Sequence, residues 1–262
     1  MARRSVCSRE PTAGAESDGH RIVLGCAPRS VTRMNARAIL PESTAGETYD
    51  ADCRRCTRLA AFLDEVRAEN PGYFCRPVPP FGARGAALVI VGLAPGMHGA
   101  NASGRPFTGD HAGIILYETL HGYGFATRCA STARDDGLEL VDCRITNAVK
   151  CLPPGNKPLP AEVRMCNSFL VADLASLPPG GAILALGRIA HDAALSALAL
   201  KPSTLRFAHG AHYDLGRGRA LFDSYHCSRY NTNTGRLTPA MFRGVFDSIA
   251  AHLGRGAAGR AA

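Results

Sequence analysis

Along residues 52–253 the spacing of apolar side chains switches repeatedly between the period of a helix and the short unbroken runs of a buried strand. Residues 52–70 read as a helix, with Leu59, Phe62, Leu63 and Val66 on one face and Pro71-Gly72 ending it. The run AALVIVGL at 86–93 has the length and continuous hydrophobicity of a strand covered on both faces. Further helices are expected over 111–123, over 160–177 with proline in the first turn, over 189–200 and over 238–253. Strands are expected over 138–148, 182–186, 205–215 and 220–226, the last two joined by the Gly/Arg turn at 216–219. This alternation predicts one α/β domain with a central parallel sheet flanked by helices. Ligands of such sheets bind at the carboxyl ends of the strands, so the segments just after residues 93, 147, 186 and 226 are where a site is expected.

Composition narrows the class of partner. The chain has 262 residues, 46% of them hydrophobic, and none of its apolar runs approaches the roughly 18 residues of a membrane helix, so no membrane partner is expected. A net charge of +8 favours a polyanion such as nucleic acid. Half of that excess, however, falls in residues 1–40, where seven arginines face Glu10, Glu16 and Asp18. That segment shows neither period, and residues 1–48 are expected to form a disordered extension, residues 49–254 the folded domain and residues 255–262 a flexible tail. Met34 opens a stretch that runs without a break into the patterned region, which makes residues 1–33 a candidate overextension of the reading frame. The same segment lacks the apolar core of a signal peptide. A cytoplasmic protein with reduced thiols is therefore expected, in which grouped cysteines more often hold a metal or a cluster than form disulfides.

Two pairs among the ten cysteines have a spacing that means something. Cys53 and Cys56 form C-x2-C at the head of the first helix, while Cys151 and Cys166 bracket a proline-rich arm, LPPGNKPLP. Four thiolates without a histidine suit structural zinc or an iron–sulfur cluster, and spacing does not choose between them. Cys7, Cys26, Cys75, Cys129, Cys143 and Cys227 have no partner at ligand spacing. After the first strand, residues 92–110 (GLAPGMHGANASGRPFTGD) carry five glycines, which permit close approach of backbone to a ligand. Neither a Gly-Lys-Ser/Thr nor a G-x-G-x-x-G occurs there, which removes most of the weight from nucleotide-triphosphate and dinucleotide readings.

This loop, the segment TNAVKCLPPGNKPLPAEVRMC and the segment SYHCSRYNTNTGRLTP together resemble the three signature regions of the type-B, or family 5, uracil-DNA glycosylases, over roughly residues 50–250 in unbroken order. The resemblance implies the three-layer fold of that superfamily and a 4Fe-4S cluster held by Cys53, Cys56, Cys151 and Cys166. It also implies a monofunctional, hydrolytic base-excision enzyme that flips uracil out of DNA and leaves an abasic site. Hypoxanthine and other deaminated bases are further substrates that the family admits. Double- and single-stranded DNA carrying such bases would be the partner, and the enzyme is expected to act as a monomer associated with a bacterial-type nucleoid.

Carried over by position, Phe107 would stack on the flipped base, with Gly92, Ala94, Gly96 and His98 lining the loop around it. Asn147 ends a strand, where its amide could accept from the uracil imide N–H and donate to the neighbouring carbonyl, a pattern that cytosine mismatches. His226 would donate to the carbonyl oxygen that gains charge as the base departs. Where the best-known branch of the superfamily has a water-orienting Asp, this chain has Ala94. Asp110, the only carboxylate of the loop, either positions water or caps the next helix, and His98 is a second candidate for orienting water or touching a phosphate. Backbone phosphates are assigned to Arg105, Lys157, Arg229, Asn233 and Arg236, while Ala102 stands where the family commonly has a basic residue.

Overall fold

The computed structural model describes residues 48–255. The expected extension and tail therefore lie outside the described residues, apart from Thr48 and Arg255. The elements follow in the order α1 (Thr57–Glu69), β1 (Leu88–Gly92), α2 (Ala100–Ser103), α3 (His111–Gly122), β2 (Cys143–Asn147), α4 (Pro160–Ala175), β3 (Ala182–Leu186), α5 (Arg188–Ala197), β4 (His212–Gly216), β5 (Arg219–Ser224), α6 (Arg229–Asn233) and α7 (Pro239–His252).

One five-stranded sheet has the order β2-β1-β3-β5-β4. Four strands run parallel and β4 closes one edge antiparallel to β5. Alternate residues of the sheet feed two cores. Leu88, Ile90, Leu184 and Phe222 face Leu116, Leu120, Phe242 and Phe246 of α3 and α7, whereas Val89, Val91, Ile183 and Leu221 face Leu170, Leu174, Ala194 and Leu195 of α4 and α5. Both faces of the parallel strands are thus covered, which is why they read as continuous apolar runs. The expected α/β class is the observed one.

Differences from the sequence expectation are local. The first helix begins at Thr57, five residues later than the spacing implied, because Cys56 is extended (φ −94°, ψ 90°) and serves as N-cap. The C-x2-C therefore lies in the loop before the helix. The strand expected over 205–215 shrinks to five residues, since the Leu205 carbonyl accepts from His191 Nε2 and Gly210 turns the chain at φ +75°. Helices α2 and α6 are too short to leave a period in the sequence.

The chain leaves β1 for β2 on one side and reaches β3 on the other. A crevice at the carboxyl ends of the strands is the geometric consequence of that reversal. Gly92, Asn147 and Gly187 sit at or just past those ends in β1, β2 and β3, and His226 lies two residues beyond β5.

Candidate active site at the carboxyl ends of the strands

Gly92 is where Phe107 and Asn147 meet. A Cβ on Gly92 would fall 2.3 Å from Asn147 Oδ1 and 2.8 Å from Phe107 Cζ, so only glycine lets both side chains lie over the end of β1. Asn147 is 3% exposed, and its Oδ1 is a buried acceptor with no hydrogen-bond partner. Buried polar atoms are rarely left unpaired, and such an orphan in a crevice points to a ligand donor. Phe107 holds a left-handed backbone, φ +55°, which is unusual for an aromatic residue and aims its ring over the end of β1. Gly113 accommodates that turn, because a Cβ there would overlap the Phe107 carbonyl oxygen at 1.9 Å.

His226 completes the group. Its ring stacks on Phe107 at a centroid distance of 5.9 Å and an interplanar angle of 29°. Packing around the ring lowers its pKa to about 4 through loss of hydration, so the imidazole is neutral at physiological pH. Asn231 Nδ2 donates to the His226 carbonyl at 2.8 Å and fixes the backbone from which the ring projects.

Asp110 does one of its two expected jobs visibly. Its Oδ1 accepts from the Gly113 N–H at 2.8 Å and caps α3. The other oxygen, Oδ2, lies toward the glycines of the loop, 2.8 Å from where a Gly99 Cβ would stand and 3.8 Å from one on Gly96. Burial raises the Asp110 pKa, against the lowering effect of the Gly113 and Ala112 amides and His111. Next to it, His111 Nε2 lies 2.9 Å from Thr232 Oγ1, joining the start of α3 to α6.

Elsewhere in the loop the side chains have other partners. Ala94 packs against the cysteine group described below, and Gly96 accepts from the Asn101 N–H at 3.0 Å. His98 is exposed, with its Nδ1 2.8 Å from the Tyr73 hydroxyl.

The residues assigned to phosphates divide. Lys157, Arg229, Asn233 and Arg236 are all exposed, and Arg236 lies over the Tyr225 ring at 4.6 Å. Arg105 corrects the expectation. It is 4% exposed and spends its guanidinium on Asp136 at 2.7 Å, Ser131 at 2.5 Å, the Arg134 carbonyl at 3.1 Å and Thr108 at 2.9 Å. Four of its five N–H donors are spent inside the protein and the side chain is buried, so the guanidinium braces the loop and does not face DNA.

Cys53, Cys56, Cys151 and Cys166 line one cavity, walled by Leu59, Val149 and Phe169. Burial pushes the Cys151 thiol up to about 12, and its neighbours Cys166, Cys53 and Cys56 add to the rise. The Lys150 N–H donates to Cys166 Sγ at 3.3 Å and Arg55 Nε to Cys53 Sγ at 3.4 Å, so two N–H groups are directed at sulfur. Among the described residues, no three His, Cys, Asp or Glu side chains gather closely enough to hold a single metal ion. The arm between Cys151 and Cys166 is tied to α1 by Arg58, which grips Glu162 through two bonds of 2.8 and 2.7 Å.

Sequence reading missed several residues of this region. Lys150 and Asp173 form a buried ion pair beneath Asn147, and Tyr230, 70% exposed on α6, is a large aromatic beside the candidate DNA contacts. A lysine inside a strand-to-arm connection gives no sign in the sequence that it is buried.

The uracil DNA glycosylase superfamily model matches residues 79–250. The chain belongs to the uracil-DNA glycosylase superfamily. Within it, the chain is 47% identical to the type-5 uracil-DNA glycosylase of Thermus thermophilus over 195 residues, 72% of this chain and 89% of the relative. It is 41% identical to the type-5 enzyme of Pyrobaculum aerophilum over 207 residues, 78% of this chain and 90% of the relative. A type-4 uracil-DNA glycosylase of Archaeoglobus fulgidus is 35% identical over 141 residues, 53% of this chain and 63% of the relative. Among the described residues of this superfamily member, no helix is long and apolar enough to cross a membrane.

Proposed function

We propose that this protein is a monofunctional uracil-DNA glycosylase of base-excision repair, which hydrolyses the bond between deoxyribose C1′ and uracil N1 and leaves an abasic site. The observation that carries the reading at residue level is the convergence of Phe107, Asn147 and His226 over Gly92. Uracil flipped from the stack would lie on Phe107 and give its imide N–H to the unpaired Asn147 Oδ1. As the C1′–N1 bond breaks, its electron pair leaves with the base and charge gathers on a uracil carbonyl. A neutral His226 donates an N–H to that oxygen and stabilises the transition state more than the ground state. Asp110 Oδ2 is the acceptor that would hold water for addition to C1′, with the carboxylate also offsetting positive charge on the sugar.

Cys53, Cys56, Cys151 and Cys166 would hold a 4Fe-4S cluster. The donor set fits, being four thiols in an apolar cavity with two N–H groups directed at sulfur. When bound, the cluster supplies four covalent anchors between the arm and α1. Exposed Lys157, Arg229, Asn233 and Arg236 would contact backbone phosphates of duplex or single-stranded DNA. The enzyme would work as a monomer on the chromosome in the cytoplasm, and hypoxanthine is the second base it would accept.

The test uses matched duplexes carrying uracil, hypoxanthine or cytosine at one position, with abasic sites revealed by alkali. Cleavage at uracil and not at cytosine is expected; no cleavage at either deaminated base removes the activity. The same sample should show broad visible absorption with iron and sulfide in equal amount, and a colourless zinc-containing protein would remove the cluster.

A further inference from the structure

Lys150 has no part in the chemistry above, yet it is 1% exposed and lies three residues from Asn147. Its ammonium has three protons and meets three acceptors: Thr146 Oγ1, the Asn147 carbonyl at 3.1 Å and Asp173 Oδ2 at 3.1 Å. Asp173 is itself fixed, since Arg144 donates to its Oδ1 at 2.9 Å and Thr146 to its Oδ2 at 2.7 Å. The backbone of residue 150 is held as well: its N–H donates to Cys166 Sγ at 3.3 Å and its carbonyl accepts from Val78 at 2.7 Å. A buried ammonium loses its hydration, and an aliphatic chain would fill the same volume without that cost. What the ammonium adds beyond its ion pair with Asp173 is a donor to the Asn147 carbonyl.

That donor matters because Asn147 ends β2. Its neighbour Ala148 donates to the Gly92 carbonyl at 2.9 Å, and beyond it the chain turns away toward the cysteine arm. That peptide plane is held at two points, its N–H on the Gly92 carbonyl and its carbonyl on the Lys150 ammonium, and loss of the second would let it tilt and swing the Asn147 amide relative to Phe107 and to the base. None of the hydrogen bonds described for this region holds the amide oxygen itself. The backbone is therefore where its direction is set.

We infer that Lys150 is a positioning residue, which fixes the Asn147 backbone so that the amide meets the base edge, and which ties that setting to the cysteine arm through Cys166. The inference rests on Asn147 being the base-reading residue. Lys150 touches neither base nor DNA in this arrangement, so its loss acts on the chemical step and not on the grip.

A double-mutant cycle tests it, using single-turnover excision of uracil by the full-length protein with Lys150→Met, Asn147→Ala and both together. Lys150→Met keeps the aliphatic stem. It is expected to slow excision about 10-fold or more while the Kd for the duplex changes by less than about 2-fold, and visible absorption per protein stays the same. In the Asn147→Ala background the same change should cost less than about 2-fold, because the residue it acts through is gone. Equal costs in both backgrounds, or no cost in the first, would overturn the inference. Should circular dichroism find Lys150→Met unfolded, Thr146→Val enters the same cycle. It removes one partner of the ammonium and leaves the Asp173 ion pair, so a loss that vanishes with Asn147→Ala supports positioning and one that persists refutes it. A wild-type protein that does not excise uracil refutes the function instead, a failure the control reaction separates from this one.

Discussion

Phe107 and His226 stack on one another, 5.9 Å apart and 29° from parallel, so the ring assigned to the base and the ring assigned to its departing charge share one wall of the crevice. Each constrains the other. Phe107 projects from a left-handed residue before α3, and His226 from the segment after β5, so the contact also joins the first and last signature regions.

Replacing Phe107 separates stacking from packing. Stacking of a base on an aromatic ring is worth about 1–3 kcal/mol, so Phe107→Leu should lower kcat/KM for uracil excision by about 5- to 150-fold. Retained apolar volume should keep the loss of stability below about 1.5 kcal/mol in urea unfolding. An unchanged kcat/KM would leave Phe107 as a core residue only.

The low pKa of His226 has a sign that can be measured. Its ordinary value of about 6.5 applies to the unfolded chain, so the unfolded state takes up the proton first as pH falls. Folding stability contributed by the neutral ring is therefore present above about pH 6.5 and declines toward about pH 4. Between pH 7 and pH 5 the wild type should lose more thermal stability than His226→Gln. Excision between pH 6 and 8 should show no inflection from this group. A wild type and variant with parallel losses would mean that the ring is not held neutral.

Arg105 and Arg229 should part company in salt. Removing one phosphate contact lowers the slope of log K against log salt by about 1, which is the expectation for Arg229→Ala. Arg105→Ala strands Asp136, whose carboxyl the arginine helps hold well below the usual range despite partial burial. It should cost about 3–5 kcal/mol of stability and leave the slope of the folded fraction unchanged. A lowered slope for Arg105→Ala would restore it as a DNA contact.

Much of this arrangement is written locally in the chain, and what is not has a common cause. The apolar runs 86–93 and 182–186 identify covered strands because both faces must be apolar, and Asn147 and the segment before His226 follow once strand ends are located. Arg105 is not legible as a brace because a loop arginine beside a signature looks the same in sequence whether it faces solvent or Asp136, thirty-one positions away. Lys150 is hidden for the same reason, its partner Asp173 lying twenty-three residues on in α4. Burial of a charge depends on a partner that only tertiary structure brings near. The four cysteines are legible as a set from their spacing, whereas their gathering around one cavity is a tertiary contact between the segment before α1 and the arm, which Arg58 and Glu162 also join.

The central claim is that Asn147 and His226, gathered with Phe107 at the strand ends, remove uracil from DNA. Its most direct test is the single-turnover rate of abasic-site formation on a uracil-containing duplex, measured for wild type, Asn147→Ala and His226→Ala with the Kd of each for the same duplex. The account predicts abasic product from the wild type, a fall of about 10²–10³-fold for His226→Ala, a fall of at least about 10-fold for Asn147→Ala, and little change in either Kd. Folded wild-type protein that yields no abasic site, or variants that excise at the wild-type rate, would contradict it.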